Sequence, residues 1–245
     1  MNSSGPSETF ALIIPTLNEG ENIGPLLDSL QQMLEQVEIS YEIVVVDDGS
    51  TDCTQEVVRG YALQDSRIRL LVREGQTGLA GAVLHGWAHS DAKLLGVMDA
   101  DLQHPPELLP ALLEKFSDGT DIVIASRYAA EDGVRGWNPI RAAISRLSTL
   151  ATRPLLSNKL KVTDPMSGCF IVRRECIEGL QFQTKGFKLL LEILVRGKIR
   201  SVKEVPYHFG LRRAGKSKAG AAVAVHYVYL LGRLSLDTVL RSGLQ

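Results

Sequence analysis

The sequence predicts an α/β protein built on a doubly wound, mostly parallel central sheet of Rossmann-like type, with helices on both faces. Three observations predict it. Short apolar runs with the content of buried strands alternate with longer stretches of helical periodicity. The runs are rich in β-branched residues, as in Tyr41 to Val46. Acidic, hydroxyl-bearing or basic residues then stand directly after them: Asp47 and Asp48, Asp99 and Asp101, Ser126 and Arg127. An open α/β sheet places its ligand beyond the carboxyl ends of its strands, so these scattered residues belong to one constellation.

The elements follow in order. Residues 1–9 are polar and expected to be disordered. Phe10 to Ile14 reads as a strand stopped by Pro15. Asn22 to Leu34 has helical spacing in Ile23, Leu26, Leu27, Leu30 and Leu34. Tyr41 to Val46 is the second strand and runs into Asp47-Asp48-Gly49-Ser50-Thr51-Asp52, a turn with N-cap chemistry. Thr54 to Leu63 is helix, Ile68 to Val72 the third strand, and Gly78 to His89 an alanine- and glycine-rich helix. Leu94 to Met98 is the fourth strand, Pro106 to Phe116 the next helix, and Asp121 to Ala125 the fifth strand. Residues 128–165 are less periodic, with a helical centre at Ile140 to Leu156, and read as an insertion over the site.

Composition sets bounds. At 245 residues, 44% of them hydrophobic, the chain fits one sizeable α/β domain or two small ones. A net charge of -1 gives no overall attraction for nucleic acid. The charge is unevenly spread: residues 1–60 hold eleven acids against Arg59, and residues 185–218 hold ten bases against Glu192 and Glu204. A basic C-terminal third suits phosphates or an anionic membrane. Cys53, Cys169 and Cys176 have no metal spacing and form no even disulfide set, which fits a reducing compartment. The start MNSSGPSETF has neither a basic head nor an apolar core, so no signal peptide is expected.

The run Asp99-Ala100-Asp101-Leu102-Gln103 carries the most chemistry. On an extended chain two acids two residues apart face one side. Acids at the end of a buried strand need a cation or a set of donors. Oxygen ligands of this kind suit Mg²⁺ or Mn²⁺, with substrate phosphates completing the shell. Two other motifs carry less. Gly210 to Ser217 matches G-x-x-x-x-G-K-[ST], yet fewer than ~30 residues follow, too few for a nucleotide fold. No G-x-G-x-x-G occurs, so a dinucleotide site loses its main support. His85 and His104 read as structural, Trp87 and Trp137 as packing residues, and Asp164 before Pro165 as a turn former.

Together the blocks PTLNEGENI, VVVDDGSTD, MDADLQHPPE, ASRY, GWNPIRAAIS, TDPMSGCF, GFKLLLEILVRG and EVPYHFGLR resemble the inverting GT-A glycosyltransferases of family two. More closely they resemble the dolichyl-phosphate, or polyprenyl-phosphate, mannosyltransferases. The blocks run in order over residues 10–218, which the resemblance makes the catalytic domain; 219–245 is then a C-terminal helix. Four positions depart from the family pattern: Leu17 for a usual Tyr, Cys53 for Gly, Gln76-Thr77 where a base is common, and Lys216 for an acid.

The resemblance implies roles. Pro15, Leu17, Glu19, Val46, Asp47 and Asp48 would hold the guanosine part of GDP-mannose. Asp99 and Ala100 would contact the donor, and Asp101 with Gln103 would ligate Mg²⁺ or Mn²⁺. Arg127, Arg141 and Ser145 would receive the phosphate of a dolichyl or polyprenyl phosphate. Lys188 and Arg212 would close over the nucleotide sugar. A phosphate acceptor is already anionic and needs no general base, which fits in-line inverting displacement driven by positioning and charge neutralisation. Transfer of glucose or another sugar from a UDP-sugar, and a catalytically silent nucleotide-sugar-binding subunit, are the alternatives.

A polyprenyl substrate implies a peripheral place on the cytoplasmic side of a membrane. No stretch reaches the ~18 apolar residues of a spanning helix. The apolar positions Val223, Tyr227, Leu230, Leu231, Leu234 and 236–239 leave three settings open for the C-terminal helix: the membrane surface, its own domain, or a membrane-embedded partner subunit.

Overall fold

The computed structural model describes residues 8–75, 78–116, 119–130, 133, 139–156, 160–183, 188–210 and 230–235. Seven strands form one sheet: β1 (Thr9–Thr16), β2 (Ser40–Asp47), β3 (Ile68–Val72), β4 (Leu94–Val97), β5 (Ile122–Ser126), β6 (Phe170–Arg173) and β7 (Val202–Pro206), in the spatial order β3-β2-β1-β4-β6-β5-β7. Each pair is parallel except the two made by β6. The helices are α1 (Gly20–Leu34), α2 (Thr54–Gln64), α3 (Leu79–Ala88), α4 (Leu108–Glu114), α5 (Pro139–Thr152), α6 (Arg174–Ile177) and α7 (Leu189–Arg196).

Period-two alternation along the buried strands sorts the side chains into two cores. Phe10, Leu12 and Ile14 of β1, with Ile43 and Val45 of β2, pack against α1, α2 and α4. Ala11 and Ile13, with Val44 and Val46, pack against α3 and α7 on the other face. On α1 the predicted stripe Ile23, Leu26, Leu27, Leu30 and Leu34 is fully buried. Each such side chain contributes roughly 1.5–3 kcal/mol relative to exposure, enough to fix which helical face meets the sheet.

Several expectations shift. Order begins earlier than residue 10, because Glu8 pairs with Arg173 and β1 starts at Thr9. The fourth strand ends at Val97, and Leu102 has φ 59°, so Asp99 and Asp101 sit on a turning chain rather than an extended one. Strands β6 and β7 and helices α6 and α7 went unread. Strand β6 is only four residues long, and β7 carries Lys203, Glu204 and Pro206, a composition that an edge strand tolerates. Residues 230–235 are helical, and Leu230 and Leu234 are buried in the core shared with α3 and α7. No helix of the described residues is long and apolar enough to cross a membrane.

Candidate active site

The chain leaves β1 to build β2 and β3 on one side, then returns to place β4 on the other. That reversal is a topological switch point, and loops diverging from it leave a crevice beyond the strand ends. Pro15, Leu17 and Glu19 lie on its β1 side and Asp99 to Gln103 on its β4 side. The turn after β1 passes through the left-handed region at Asn18, φ 54°. Asn18 stitches it to the next loop: its backbone N–H donates to Ser50 Oγ at 2.7 Å, and its Oδ1 accepts from the Thr51 N–H at 2.8 Å. Glu19 stands at the N-cap of α1, where its Oε2 accepts from the Asn22 side-chain amide at 2.8 Å.

The two acids after β2 differ in setting. Asp47 is fully buried beside the buried Val46, and its oxygens accept from Thr16 Oγ1, the Gly49 and Ser50 N–H groups, Ser50 Oγ and Gln55 Nε2 at 2.5–3.2 Å. It therefore shapes the loop from inside, a turn that needs Gly49 at φ 81°. Asp48 ion-pairs with Arg73 at 3.0 Å and accepts the Gly78 N–H at 2.8 Å. Burial raises the Asp48 pKa, against the lowering effects of the Gly78 hydrogen bond and of Arg73.

Beyond β4, Asp99 is partly exposed while Ala100 and Asp101 are buried. Asp101 Oδ1 accepts the Gln103 N–H at 3.2 Å, and Gln103 exchanges two bonds with Gly210: Gly210 N–H to its carbonyl at 3.0 Å, and its Nε2 to the Gly210 carbonyl at 3.2 Å. The amide nitrogen is thereby committed to the protein. His104 is buried against Tyr207 and Phe209, its Nδ1 lies 3.9 Å from Asp99 Oδ2, and burial, reinforced by Arg127, pushes its pKa down to about 4. A Cβ on Gly168 would come within 2.4 Å of Asp99 Oδ2, so any larger residue there would push that carboxylate aside. Among the described residues no three His, Cys, Asp or Glu side chains gather as a metal cluster. Two acids and an amide oxygen instead fit a hard divalent cation whose shell is completed by diphosphate oxygens.

The third group surrounds Arg127, the residue after β5. Its Nε and Nη2 donate to Asp164 at 2.7 Å each, and its charge lies over the rings of Tyr128 and Phe209. Burial disfavours the Arg127 charge, but the Asp164 contacts outweigh it and raise the pKa. Lys188, at the N-cap of α7, feels both: burial first, then Arg127, lower its pKa to about 8 while Asp164 opposes them. Arg127 and Lys188 thus stand close together beside Asp164, and paired cations of this kind are suited to a phosphate. Ser145 on α5 accepts from the Tyr128 hydroxyl at 2.6 Å, which ties α5 to the end of β5.

Asp99 and Asp101 thus both border His104, and Arg127 and Lys188 share one neighbourhood across from them. Arg141 lies on α5 one turn before Ser145, with its side chain outside the described set, and Arg212 lies outside the described residues altogether. Sequence reasoning missed Arg73 and Glu204 and gave Asp164 too small a part. Asp164 does open a turn, with the Ser167 N–H on its carbonyl, but its carboxylate holds Arg127. The available signal was that Asp164 and Glu204 stand within two of the quoted blocks, TDPMSGCF and EVPYHFGLR, with no partner visible along the chain.

The chain is similar to known proteins. Dolichol-phosphate mannosyltransferase of Pyrococcus furiosus is 39% identical over 91% of this chain, which spans 63% of that protein's length, less than two thirds. The Saccharomyces cerevisiae protein of the same name is 34% identical over 92% of this chain and 86% of its own. Among solved structures, glucosyl-3-phosphoglycerate synthase from Mycobacterium tuberculosis superposes with a TM-score of 0.69 at 21% identity, covering 93% of this chain and 81% of that one, which establishes the shared GT-A fold. The same enzyme in complex with Mn²⁺, UDP-glucose and phosphoglyceric acid gives 0.64 at 23% identity, over 85% and 73%. The profile of glycosyl transferase family 2 matches residues 11–180, from β1 through β6 and over both sides of the crevice, and the chain belongs to that family.

Proposed function

We propose that the protein transfers mannose from GDP-mannose to a dolichyl or other polyprenyl phosphate, with inversion at the anomeric carbon. The observation that carries this reading is the identity to the yeast dolichol-phosphate mannosyltransferase over 92% of this chain and 86% of that protein, which spans donor and acceptor sides of the crevice alike. In the reaction an acceptor phosphate oxygen forms a bond to the anomeric carbon as the bond to the GDP oxygen breaks. No proton need be removed from the acceptor, which is anionic at neutral pH.

The residues have distinct tasks. The loops after β1 and β2 receive the guanosine: Pro15, Leu17, Glu19 and Asp48 border it, and the buried Val46 and Asp47 hold its floor. Asp99 and Ala100 meet the donor. Asp101 and Gln103, with Asp99 beside them, would hold Mg²⁺ or Mn²⁺, which when bound neutralises the diphosphate leaving group. Arg127, Arg141 and Ser145 take the acceptor phosphate, and Lys188 and Arg212 cover the nucleotide sugar. Arginine suits phosphate because its planar fork matches two oxygens.

The lipid reading includes a peripheral position on the cytoplasmic face of a membrane. Support comes from α5, where Ile144, Leu147 and Leu150 are all more than half exposed on a helix that also carries Ser145. Apolar side chains at three-residue spacing form one stripe, and a stripe beside the phosphate site is suited to a bilayer surface. A membrane-embedded partner subunit would be an alternative cover. The decisive experiment incubates the protein with GDP-mannose or UDP-glucose, Mg²⁺ or Mn²⁺, and short polyprenyl phosphates, and identifies the product lipid by mass spectrometry. Polyprenyl-phosphate mannose is expected. A glucosylated lipid, or no product with any donor, would overturn the reading.

A further inference from the structure

Asp164 is fully buried, and Arg127 meets it with three hydrogen bonds: Nε at 2.7 Å, Nη2 at 2.7 Å and the backbone N–H at 3.1 Å. Something must hold the carboxylate in turn. The Asp164 N–H donates to Glu204 Oε1 at 3.1 Å, and the Thr163 N–H and hydroxyl donate to the same carboxylate at 2.9–3.1 Å. Thr163 Oγ1 also meets Ser126 Oγ at 2.6 Å, directly before Arg127. Glu204 lies on the edge strand β7, opposite Ile124 of β5. A hydrogen-bonded line thus runs from β7 through the 163–164 segment to the guanidinium. The rings of Tyr128 and Phe209, 5.6 and 5.5 Å from its central carbon, bound it further.

We propose that Asp164 is a positioning residue: it sets the orientation at which Arg127 meets the substrate phosphate, and Glu204 holds Asp164 in place from the edge strand. The inference rests on the reading of Arg127 as the acceptor-phosphate ligand. A charge-only account predicts the opposite sign for removing Asp164. Its carboxylate offsets Arg127 and Lys188, so deleting that charge strengthens the local attraction for an anion. If orientation governs, the same deletion weakens phosphate binding despite the added positive charge, because a bidentate contact requires a fixed fork.

Asp164→Asn keeps the size of the side chain and removes the charge. Transfer is measured with GDP-mannose, Mg²⁺ and a short polyprenyl phosphate, alongside the thermal midpoint. Loss of bidentate geometry should raise the acceptor KM about tenfold or more and leave the donor KM within about twofold. Glu204→Gln, at a less buried position, should shift the acceptor KM the same way by about two- to threefold. An acceptor KM that stays level or falls in Asp164→Asn overturns the proposal, as does a parallel rise of both KM values with a lowered midpoint. Should Asp164→Asn fail to fold, Glu204→Gln decides: a folded variant with a normal acceptor KM overturns it. The unaltered protein separates the two levels. Absence of transfer by it overturns the functional reading and this inference together, whereas normal transfer with no acceptor effect in the variants overturns this inference alone.

Discussion

Arg73 Nη1 lies 3.0 Å from Asp48 Oδ1, with both side chains less than a tenth exposed. The pair joins the end of β3 to the loop after β2, and the other Asp48 oxygen receives the Gly78 N–H at the start of α3. Three chain segments on the proposed nucleotide side of the crevice therefore meet at one carboxylate. Removing one member of a buried ion pair leaves an uncompensated charge. Arg73→Ala should lower stability by about 3–5 kcal/mol, read as a reduced urea midpoint, and should weaken GDP binding. An unchanged midpoint would show that the loop is held by its backbone bonds instead.

Asp101 is the buried acid of the turn after β4, the turn proposed to bind the metal. Asp101→Ala should cut turnover on the order of a hundredfold or more, since lost charge stabilisation in a closed site amounts to several kcal/mol. Turnover is titrated against Mg²⁺ and Mn²⁺. Full activity of the variant in metal-free buffer would remove Asp101 from the ligand set.

Arg127→Ala and Arg141→Ala should each reduce transfer strongly while leaving GDP affinity near normal, because both are assigned to the acceptor phosphate. Calorimetry with GDP and steady-state kinetics with varied acceptor separate the two sides. A collapse of GDP affinity with a normal acceptor KM would reassign both arginines to the donor diphosphate.

Burial, with Arg127 beside it, brings the Lys188 pKa down to about 8. Only the ammonium attracts phosphate, so nucleotide affinity should fall as pH rises through about 8, and this limb should vanish in Lys188→Met. Stability runs the other way. The unfolded lysine keeps its proton to roughly 10.4, so between that pH and about 8 the unfolded chain binds more protons, and the Lys188 contribution to stability rises with pH. Pyrophosphate binding measured by calorimetry across this range, for both proteins, is the check.

Ile144, Leu147 and Leu150 are exposed on α5, so replacing all three with Ser removes little buried area. The fold should survive with a midpoint close to that of the parent. Flotation with anionic vesicles should drop, and the KM for long-chain acceptors should rise relative to short ones. Unaltered flotation would assign membrane contact elsewhere, with the C-terminal helix as the next segment to truncate.

The sequence by itself determined the half of the fold that obeys local rules. Five strands and the helices between them were legible because their apolar residues recur at the period of the element they form, and a buried strand such as Tyr41 to Val46 admits no other reading. It also placed Asp48, Asp99 and Asp101 beyond strand ends, since the end of an apolar run is visible along the chain. Tertiary structure alone decided what those residues meet. Asp47 turned out to be enclosed by five donors from its own loop and its neighbours, and Asp164 to hold Arg127 across 37 residues of sequence. Antiparallel β6 enters between β4 and β5, and its four residues are too few to announce a strand along the chain. Periodicity reports which face of an element is buried; it is silent on the partner, because an ion pair between distant segments leaves no spacing to read.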